Sequence, residues 1–514
     1  MKKSITKSLI FSPAAAGILV CILSLCRVFY FNFSSVKNLI GTIPDDAFYY
    51  IQMATHRAKD GFWSFDGTHP ASGFHLLYGY LLYFITSIFG AIDWKILSLS
   101  IGIFSSCFIG LSAYFTSRAV KFTLDSNTAL IATLPYIAPI TLMQSTSLME
   151  SWLVLFFSSL SIYLISATST ESRKFTATIF LTGLFGSLSR SDYGLFPGMI
   201  FCVAAAFTGT GTNITRRSFI LLTGAVTGVV IVLLHDFVTT GHFAQASAQT
   251  KLYWSQINGN SIVPSINLLA SIIFPLNFIQ PISKSIKTLA GIAILAIILY
   301  TLISAYNSSH RNPQLSKNFS IIAGCIITVF GYALFYRYNS GGLQPWYSAN
   351  FIAPVAVSMS AISFYVLKEK EFHIALVLFA IYLSHSVSEL FIAPWPHQSG
   401  MMQAGLYIKQ SKISTPVGAW NAGIISYFSG KNIINIDGLA NDEILPYVKE
   451  DTLLNYLKKN NIGYIADYSA MITNENIRIR GGYKNLDRHV IPVAVIDGRN
   501  PAWQGTRLIL YKIY

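Results

Sequence analysis

The chain has 514 residues, of which 53% are hydrophobic and 11% are charged, and its net charge is +14. Soluble globular proteins carry about 25% charged residues, so this composition excludes a soluble class. Apolar runs of roughly 18 or more residues recur along the chain, and such runs cross a bilayer as helices. The sequence therefore predicts a polytopic α-helical membrane protein.

The positive charge does not form the long basic stripes that a nucleic-acid-binding protein would need. Basic residues instead form small groups between apolar runs, at Arg173–Lys174, at Arg216–Arg217, and at Lys368 with Lys370. By the positive-inside rule such groups lie in cytoplasmic loops. The five cysteines lie in apolar segments without zinc-ligand spacing or a disulfide framework. Because the basic residues form no long stripe, we expect no nucleic-acid partner.

Apolar segments follow one another up to about residue 392. They lie at about 9–31, 73–92, 96–117, 128–143, 150–168, 175–189, 194–210, 218–234, 261–278, 288–306, 318–336, 347–367 and 372–392. The first is too long for a cleaved signal peptide, so we expect an uncleaved span that starts in the cytoplasm. All basic loops are cytoplasmic if 73–117 makes one net crossing and 261–278 is re-entrant or interfacial. This topology has about 11–13 transmembrane helices and about eleven crossings.

The composition changes after about Ser399. Short β-type runs, such as "HVIPVAVID" and "TRLILYKIY", alternate there with helical ones such as Glu443–Lys459. We predict a membrane domain at 1–398 and a small extracytoplasmic α/β domain at 399–514. The same topology places outer loops at 33–73 and 235–287, and puts Glu150 and Arg190 on the outer face.

Two adjacent acids, Asp45 and Asp46, precede the helical stretch "AFYYIQMATHRAK". They fit a helix start, because an acid there satisfies free backbone N–H groups. The stripe of Phe48, Ile51 and Ala58 would let this helix lie on the membrane surface. A cap needs only one acid, however, and a second carboxylate near the bilayer needs a partner. The structural and the functional reading both stay open.

Other polar residues stand between the apolar segments. His69 and His75 form a weak metal signal, and histidines at such positions are more often hydrogen-bond donors. Glu150 begins an apolar helix, where the helix dipole favours an acid. We expect Arg190 to pair with Asp192. The later outer loops carry His235, Asp236, His242, Lys251, Arg337, Trp346 and Tyr347. Each fits a structural role singly, but their shared side favours a single site.

Several motifs together resemble the bacterial GT-C superfamily of membrane glycosyltransferases, which includes protein mannosyltransferase-like and aminoarabinose-transferase-like enzymes. The acid pair with "AFYYIQ", followed by "DGTHPASGFHLLYGYLL", is similar to the first outer loop of that family. In order, there follow "LMESWL", "LSRSDYGLF", "TTGHFAQASAQTK", "WYSANFIAP" and "VGAWNAGIISYFSGKNIINIDGLAN". The chain departs from the family pattern at Ser72, Leu76 and Gln245, which affects substrate choice more than reaction type.

The resemblance implies a sugar transfer on the outer face of the bacterial inner (cytoplasmic) membrane. The donor would be a polyprenyl-phosphate-linked or diphosphate-linked sugar, and the acceptor an envelope glycan, lipid or protein. A carboxylate within reach of the acceptor hydroxyl acts as general base, and we assign this role to Asp45. The predicted catalytic set is Asp45, Asp46 and Glu150. The predicted phosphate-binding set is Lys251, Arg337 and Arg190. The predicted substrate-binding set is His75, His242, Trp346 and Tyr347.

The sequence does not require a cofactor, although a divalent metal ion at Asp45 and Asp46 stays open. Membrane lipids would be further partners. A transporter or flippase is the main alternative, because intramembrane acids also mark transport paths. The chain shows no repeated halves of the transporter type. A nonenzymatic assembly factor for envelope polysaccharides would not need Asp45 and Asp46 together with Lys251.

Overall fold

The computed structural model describes residues 12–90, 93–124, 129–167, 172–209, 212–273, 296–308, 313–367, 371–474, 486–500 and 506–514. Parts of the predicted apolar segments lie outside the described residues, namely 9–11, 91–92, 128, 168, 210, 274–278 and 288–295. The same holds for 274–287 of the predicted loop 235–287 and for the basic residues Lys368 and Lys370.

Within these ranges, six helices are long and apolar enough to cross a membrane: Pro13–Asn32, Trp94–Leu124, Ser191–Thr208, Asn213–Thr240, Asn318–Asn339 and Pro345–Leu367. Shorter apolar helices span Leu76–Phe89, Ser151–Ser166, Val263–Ile273, Ala296–Ser308 and His373–Glu389. A further helix spans Arg173–Ser189. The predicted polytopic helical fold is confirmed. The number of crossings stays a prediction.

The buried Arg27 connects the first long helix to the end of the last apolar helix. Its guanidinium donates hydrogen bonds to the backbone oxygens of Leu390 (2.6 Å) and Ile392 (3.2 Å) and to the hydroxyl of Thr146 (3.1 Å). The carbonyl groups at a helix C-terminus carry partial negative charge, so they suit a buried cation. This contact links the first span to the residues that follow the helix His373–Glu389.

The predicted segment 128–143 is broken into two helices, Ala129–Ile137 and Pro139–Leu142. Proline disfavours a helical conformation in the residue before it, and Ala138 accordingly has φ −59° and ψ 140°. A 3₁₀ turn at Met143–Ser145 follows and leads the chain to Glu150, which is the N-cap of Ser151–Ser166. The break therefore brings the start of the next apolar helix back toward the interior.

The C-terminal part contains a five-stranded sheet with the order β2-β1-β3-β5-β4. The strands are β1 (Val417–Ala419), β2 (Ile433–Asn435), β3 (Tyr464–Tyr468), β4 (Val490–Asn500) and β5 (Thr506–Ile513). Strand β1 pairs in parallel with β2 and β3, while β5 pairs antiparallel with β3 and β4. Helices span Gln398–Gln410, Gly423–Ser429, Leu445–Lys449, Leu453–Lys459 and Ala470–Thr473. The predicted small α/β domain is confirmed.

The two adjacent acids begin the helix Asp45–Asp60, called the acidic helix below, which follows the short helix Val36–Ile40. Its Phe48 ring packs on Tyr427 (5.2 Å between centroids) and Phe428 (6.0 Å), both in the α/β domain. The prediction that Phe48 and Ile51 face the membrane surface is wrong, because both side chains are buried inside the protein. The acidic helix instead lies between the helical bundle and the α/β domain.

Candidate active site

Two cavities of about 150 Å³ and 140 Å³ lie where the helical bundle, the acidic helix and the α/β domain meet. Both are lined by Asp46, Tyr49, Lys251 and Leu439, so they share a wall. Of the predicted site residues, the first cavity contains Asp46, His75, Glu150, Arg190, Lys251, Trp346 and Tyr347. The second contains Asp45, Asp46 and Lys251. Residues far apart in sequence thus meet in one place.

Asp45 is 7% exposed, and its carboxylate is held by the α/β domain. Its Oδ1 accepts a hydrogen bond from the Ile424 N–H (2.7 Å) and its Oδ2 accepts one from the Gly423 N–H (3.1 Å). These donors begin the helix Gly423–Ser429, so Asp45 satisfies free N–H groups of a helix in another domain. Burial raises the pKa of Asp45 to about 8, against the lowering effect of the two N–H groups.

Asp46 has a different environment, although it is the next residue. Its side chain is partly exposed to both cavities, and no other described residue donates a hydrogen bond to its carboxylate. Burial raises the pKa of Asp46, while the positive charge of Lys251 acts to lower it. The Asp46 carboxyl group is therefore accessible from either cavity.

Glu150 and Arg190 form a buried ion pair at the wall of the first cavity. Arg190 Nη1 lies 2.6 Å from Glu150 Oε1, and the same guanidinium makes two hydrogen bonds to Asp192, of 3.1 Å and 2.8 Å. The expected pairing of Arg190 with Asp192 is thus confirmed. The Tyr336 hydroxyl donates to Asp192 Oδ2 at 2.7 Å. Two carboxylates compensate the charge of Arg190, which fixes it as part of a rigid network.

His75 extends this network toward the cavity. Its Nε2 lies 3.5 Å from Glu150 Oε1, and Tyr50 donates its hydroxyl hydrogen to Glu150 Oε2 at 3.1 Å. The Nδ1 atom of His75 is buried and has no hydrogen-bond partner among the described residues. Burial lowers the pKa of His75 to about 4, so the ring is neutral at physiological pH. A neutral ring can donate a hydrogen bond to a ligand or accept one from it.

Lys251 projects from the helix Ala246–Ile257 and lines both cavities. Its Nζ donates to the Tyr347 hydroxyl at 2.9 Å, and the Tyr347 ring also lies 4.3 Å from the Arg190 guanidinium carbon. No carboxylate of the described residues lies within ion-pair distance of Nζ. Lys251 is thus a cavity cation whose charge is available to an anionic ligand.

Two predicted site residues lie elsewhere. Arg337 is exposed and its Nε donates to the backbone oxygen of Asn260 at 2.8 Å, outside the lining of both cavities. It lies in a 3₁₀ segment, Tyr336–Gly342, in which Tyr336 and Asn339 face the first cavity instead. His242 follows the helix-ending Gly241 and is exposed. Neither residue lies where the predicted phosphate or sugar contact would require it.

The sequence prediction missed the loop Asp437–Leu439, which follows β2. Asp437 and Leu439 line the second cavity, and Leu439 lines the first as well. The Thr250 hydroxyl donates to the Gly438 backbone oxygen at 2.9 Å. "Asp-Gly" is a typical turn signal, which hid this acid in the sequence. Its position after a strand of a parallel α/β unit was the available clue, because ligands bind at such strand ends.

The residues present do not fit a metal site built on both acids. The Asp45 oxygens already accept hydrogen bonds from two backbone N–H groups, and the Asp46 carboxylate faces the cavities instead. Throughout the described ranges, no group of three or more His, Cys, Asp or Glu side chains is arranged to hold a metal ion. His69 pairs with Asp66 at 2.6 Å, away from His75. We therefore derive no step through a metal.

Nearly the whole chain is similar in structure to ArnT and to an archaeal oligosaccharyltransferase. ArnT from Cupriavidus metallidurans bound to undecaprenyl phosphate superposes with a TM-score of 0.57 at 11% identity, over 96% of this chain and 97% of that one. The Archaeoglobus fulgidus oligosaccharyltransferase tethered to an acceptor peptide gives 0.55 at 12% identity, over 96% and 74%. The chain has a GT-C-like fold.

The same archaeal species provides AglB, an oligosaccharyltransferase in complex with an inhibitory peptide and a dolichol-phosphate, with a TM-score of 0.50 at 12% identity, over 91% of this chain and 72% of that one. A family model described as a domain of unknown function (DUF8728) matches residues 393–511, which include strands β1 to β4 and most of β5. Among curated proteins, none matches the sequence significantly. These likenesses identify the fold, while the activity depends on the cavities described above.

Proposed function

We propose that the chain is a membrane glycosyltransferase that moves a sugar from a polyprenyl-phosphate or polyprenyl-diphosphate donor to an acceptor hydroxyl. The observation that carries this proposal is the position of Asp46 and Lys251 on the same two cavities, one as an available carboxylate and the other as an available cation. Sugar transfer from a lipid phosphate needs both a proton acceptor and a cation near the leaving group. The GT-C fold adds support.

In the proposed reaction, the acceptor oxygen attacks the anomeric carbon of the donor sugar. A C–O bond forms to the acceptor, and the bond from the anomeric carbon to the phosphate oxygen breaks. The hydroxyl proton passes to a carboxylate, and the bonding electrons leave with the polyprenyl phosphate. The enzyme then needs to stabilise the new negative charge on the phosphate, which a fixed cation in a low-dielectric cavity does.

We assign the proton to Asp46 in place of Asp45, the base expected from the sequence. Both Asp45 oxygens accept hydrogen bonds from backbone N–H groups of another domain, whereas no other described residue donates a hydrogen bond to the Asp46 carboxylate. A general base must be within hydrogen-bond reach of the proton it removes, and Asp46 borders both cavities. Asp45 then acts by holding the α/β domain against the acidic helix.

We assign the donor phosphate to Lys251. Arg190 is held by two carboxylates, so it does not bind the phosphate. It shapes the cavity and orients Glu150. Trp346 and Tyr347 are buried walls of the first cavity, where they can contact the sugar. His75, being neutral, completes this wall as a hydrogen-bonding group. Tyr50 and Arg190 donate hydrogen bonds that hold the Glu150 carboxylate in position.

The sidedness of the site belongs to the same proposal. The basic loops of the sequence favour an N-terminus in the cytoplasm and an α/β domain outside the inner membrane of a bacterium. The cavities, lined partly by the α/β domain, would then open toward the outer leaflet. Polyprenyl-linked sugars presented there would be the donors, and an envelope glycan, lipid or protein would be the acceptor.

The test is transfer of radiolabelled sugar from a polyprenyl-phosphate donor in native membranes. We expect Asp46→Asn to abolish the movement of label from the lipid fraction, while the protein still inserts. Asp93→Asn, at an exposed position outside both cavities, is the matched control and should transfer normally. Wild-type transfer by Asp46→Asn would refute Asp46 as the base. Movement of intact lipid-linked sugar between leaflets, with no transfer, would favour a flippase.

A further inference from the structure

The second cavity lies at the carboxyl ends of the three parallel strands. Trp420 and Asn421 follow β1, Asp437 follows β2, and Met471 follows β3, and all four line this cavity. The chain runs from β1 to β2 toward one edge of the sheet and from β3 to β4 toward the other edge, so the two connections diverge between β1 and β3. Open parallel sheets bind ligands in the crevice at such a switch point.

The lining of the second cavity combines aromatic walls with hydrogen-bond acceptors. Trp254, Trp420 and Tyr49 supply the aromatic surface. Asp437 is 7% exposed, and its Oδ1 accepts a hydrogen bond from the Leu439 N–H at 2.8 Å. Asn421 is held by Asp467, whose Oδ1 accepts from its side-chain amide at 2.8 Å. Pockets of this type hold a ligand by apolar contact and orient it with a few fixed polar groups.

The charge of the second cavity differs from that of the first. Its described lining contains the carboxylates Asp45, Asp46 and Asp437, and a single cation, Lys251. A phosphate placed there would meet Asp46 and a single cation, Lys251, which the donor phosphate already occupies in the proposed function, so an anionic acceptor would lack a counter-charge. Hydroxyl groups, in contrast, donate hydrogen bonds to carboxylates, and such charge-assisted bonds are strong. The lining thus suits a ligand that is rich in hydroxyl groups and carries no negative charge.

We propose that the second cavity is the acceptor subsite and that it takes an uncharged polyhydroxylated group, such as a sugar unit. This rests on the proposed function. Asp46 borders both cavities, so an acceptor hydroxyl in the second and a donor sugar in the first reach the same carboxylate. Asp437 accepts hydrogen bonds from the other acceptor hydroxyls and is a specificity residue, and Trp254 contributes apolar contact.

The test is saturation-transfer difference NMR on the full chain in detergent micelles. The probes are methyl β-D-glucopyranoside and its 6-phosphate at equal concentration. We expect the neutral glycoside to receive saturation, and the 6-phosphate to receive less. The glycoside signal should be lost in Asp437→Asn, which keeps an oxygen for the Leu439 N–H. Trp254→Leu should lose it as well, and Asp93→Asn should keep it.

An equal or stronger signal for the 6-phosphate would overturn the proposal. So would a glycoside signal that is absent from the unmodified protein, or one that Asp437→Asn and Trp254→Leu leave unchanged. The two proposals fail differently. If Asp437→Asn loses the glycoside but the unmodified chain transfers no sugar, the proposed function fails and the binding site stands. If transfer occurs but Asp437 has no effect on binding, only the subsite fails.

Discussion

The carboxylates of Asp45 and Asp46 face different surroundings, although the two residues are neighbours in the chain. Asp45 accepts hydrogen bonds from Gly423 and Ile424 in the α/β domain, and Asp46 faces two cavities. Successive residues of a helix diverge by about 100° around its axis. The acidic helix therefore directs one acid to a domain contact and the next to the site.

Asp45→Asn should destabilise the docking of the α/β domain. The amide oxygen can replace only one carboxylate oxygen, and the amide NH₂ would meet a backbone N–H. Loss of a helix-capping acceptor costs about 1 kcal/mol, so we expect a lower thermal midpoint and faster proteolysis of the domain. Asp46→Asn, which breaks no such hydrogen bond, is the comparison. If Asp45→Asn abolished transfer at unchanged stability, Asp45 would be the base after all.

Lys251→Met should lower kcat strongly, because the leaving phosphate would lose its cation. Removing one stabilising donor from such a site typically costs about 10²- to 10³-fold in kcat. Arg337→Met is the matched control, because Arg337 is exposed and lies outside both cavities. Steady-state transfer assays on Lys251→Met and Arg337→Met measure the two changes in kcat. Equal losses would show that Arg337 also contacts the donor.

The pH dependence of kcat/KM should show an acid limb that belongs to Asp46. Burial raises the pKa of Asp46 above its usual value, and Lys251 opposes this effect. The base works only when ionised, so kcat/KM should fall as the pH drops through this raised pKa. In Lys251→Met the opposing effect is lost, and the limb should move to higher pH. A limb that moved to lower pH would contradict the assignment.

Gly73→Ala should displace the loop Asp437–Leu439. A Cβ atom at Gly73 would overlap with the backbone oxygen of Leu439, so that loop or its neighbour must move. Overpacking of this kind typically costs about 1–3 kcal/mol, and the shared wall of the cavities would shift. We expect a lower thermal midpoint together with reduced transfer.

Gly198→Ala is the matched control for this change. The nearest atom to a Cβ at Gly198, Leu222 Cδ1, lies 4.0 Å away, so the methyl group fits in the apolar helix. Its stability and transfer should match those of the unmodified protein. If Gly73→Ala behaved in the same way, the close contact between Gly73 and Leu439 would not position the loop.

The sequence predicted the helices better than it predicted the contacts between domains. Apolar length identifies spans directly, and Glu150 and Lys251 both line the first cavity. The prediction that Phe48 faces the membrane failed because an aromatic stripe has the same sequence pattern whether it contacts lipid or another domain. Here Phe48 contacts Tyr427 of the α/β domain. Periodicity locates a face of a helix, but it does not identify what covers that face.

For the site residues too, local patterns and tertiary contacts give different information. Arg337 lies in an irregular 3₁₀ segment, where the direction of each side chain depends on local backbone geometry that a motif does not specify. Asp437 was missed because its role arises from sheet topology, which forms between residues far apart in the chain. Short-range patterns therefore pointed to residues that line the two cavities, whereas the arrangement of these residues needed the tertiary structure.

Leu439 lines both cavities, and this has a consequence for biosynthesis. Synthesis runs from the N-terminus, so Asp46, Glu150 and Lys251 are in place long before residues 437–439 exist. Until that loop packs between Gly73 and Thr250, the wall shared by the two cavities is missing. A nascent chain therefore carries Asp46, Glu150 and Lys251 before the loop that separates the two cavities has been made.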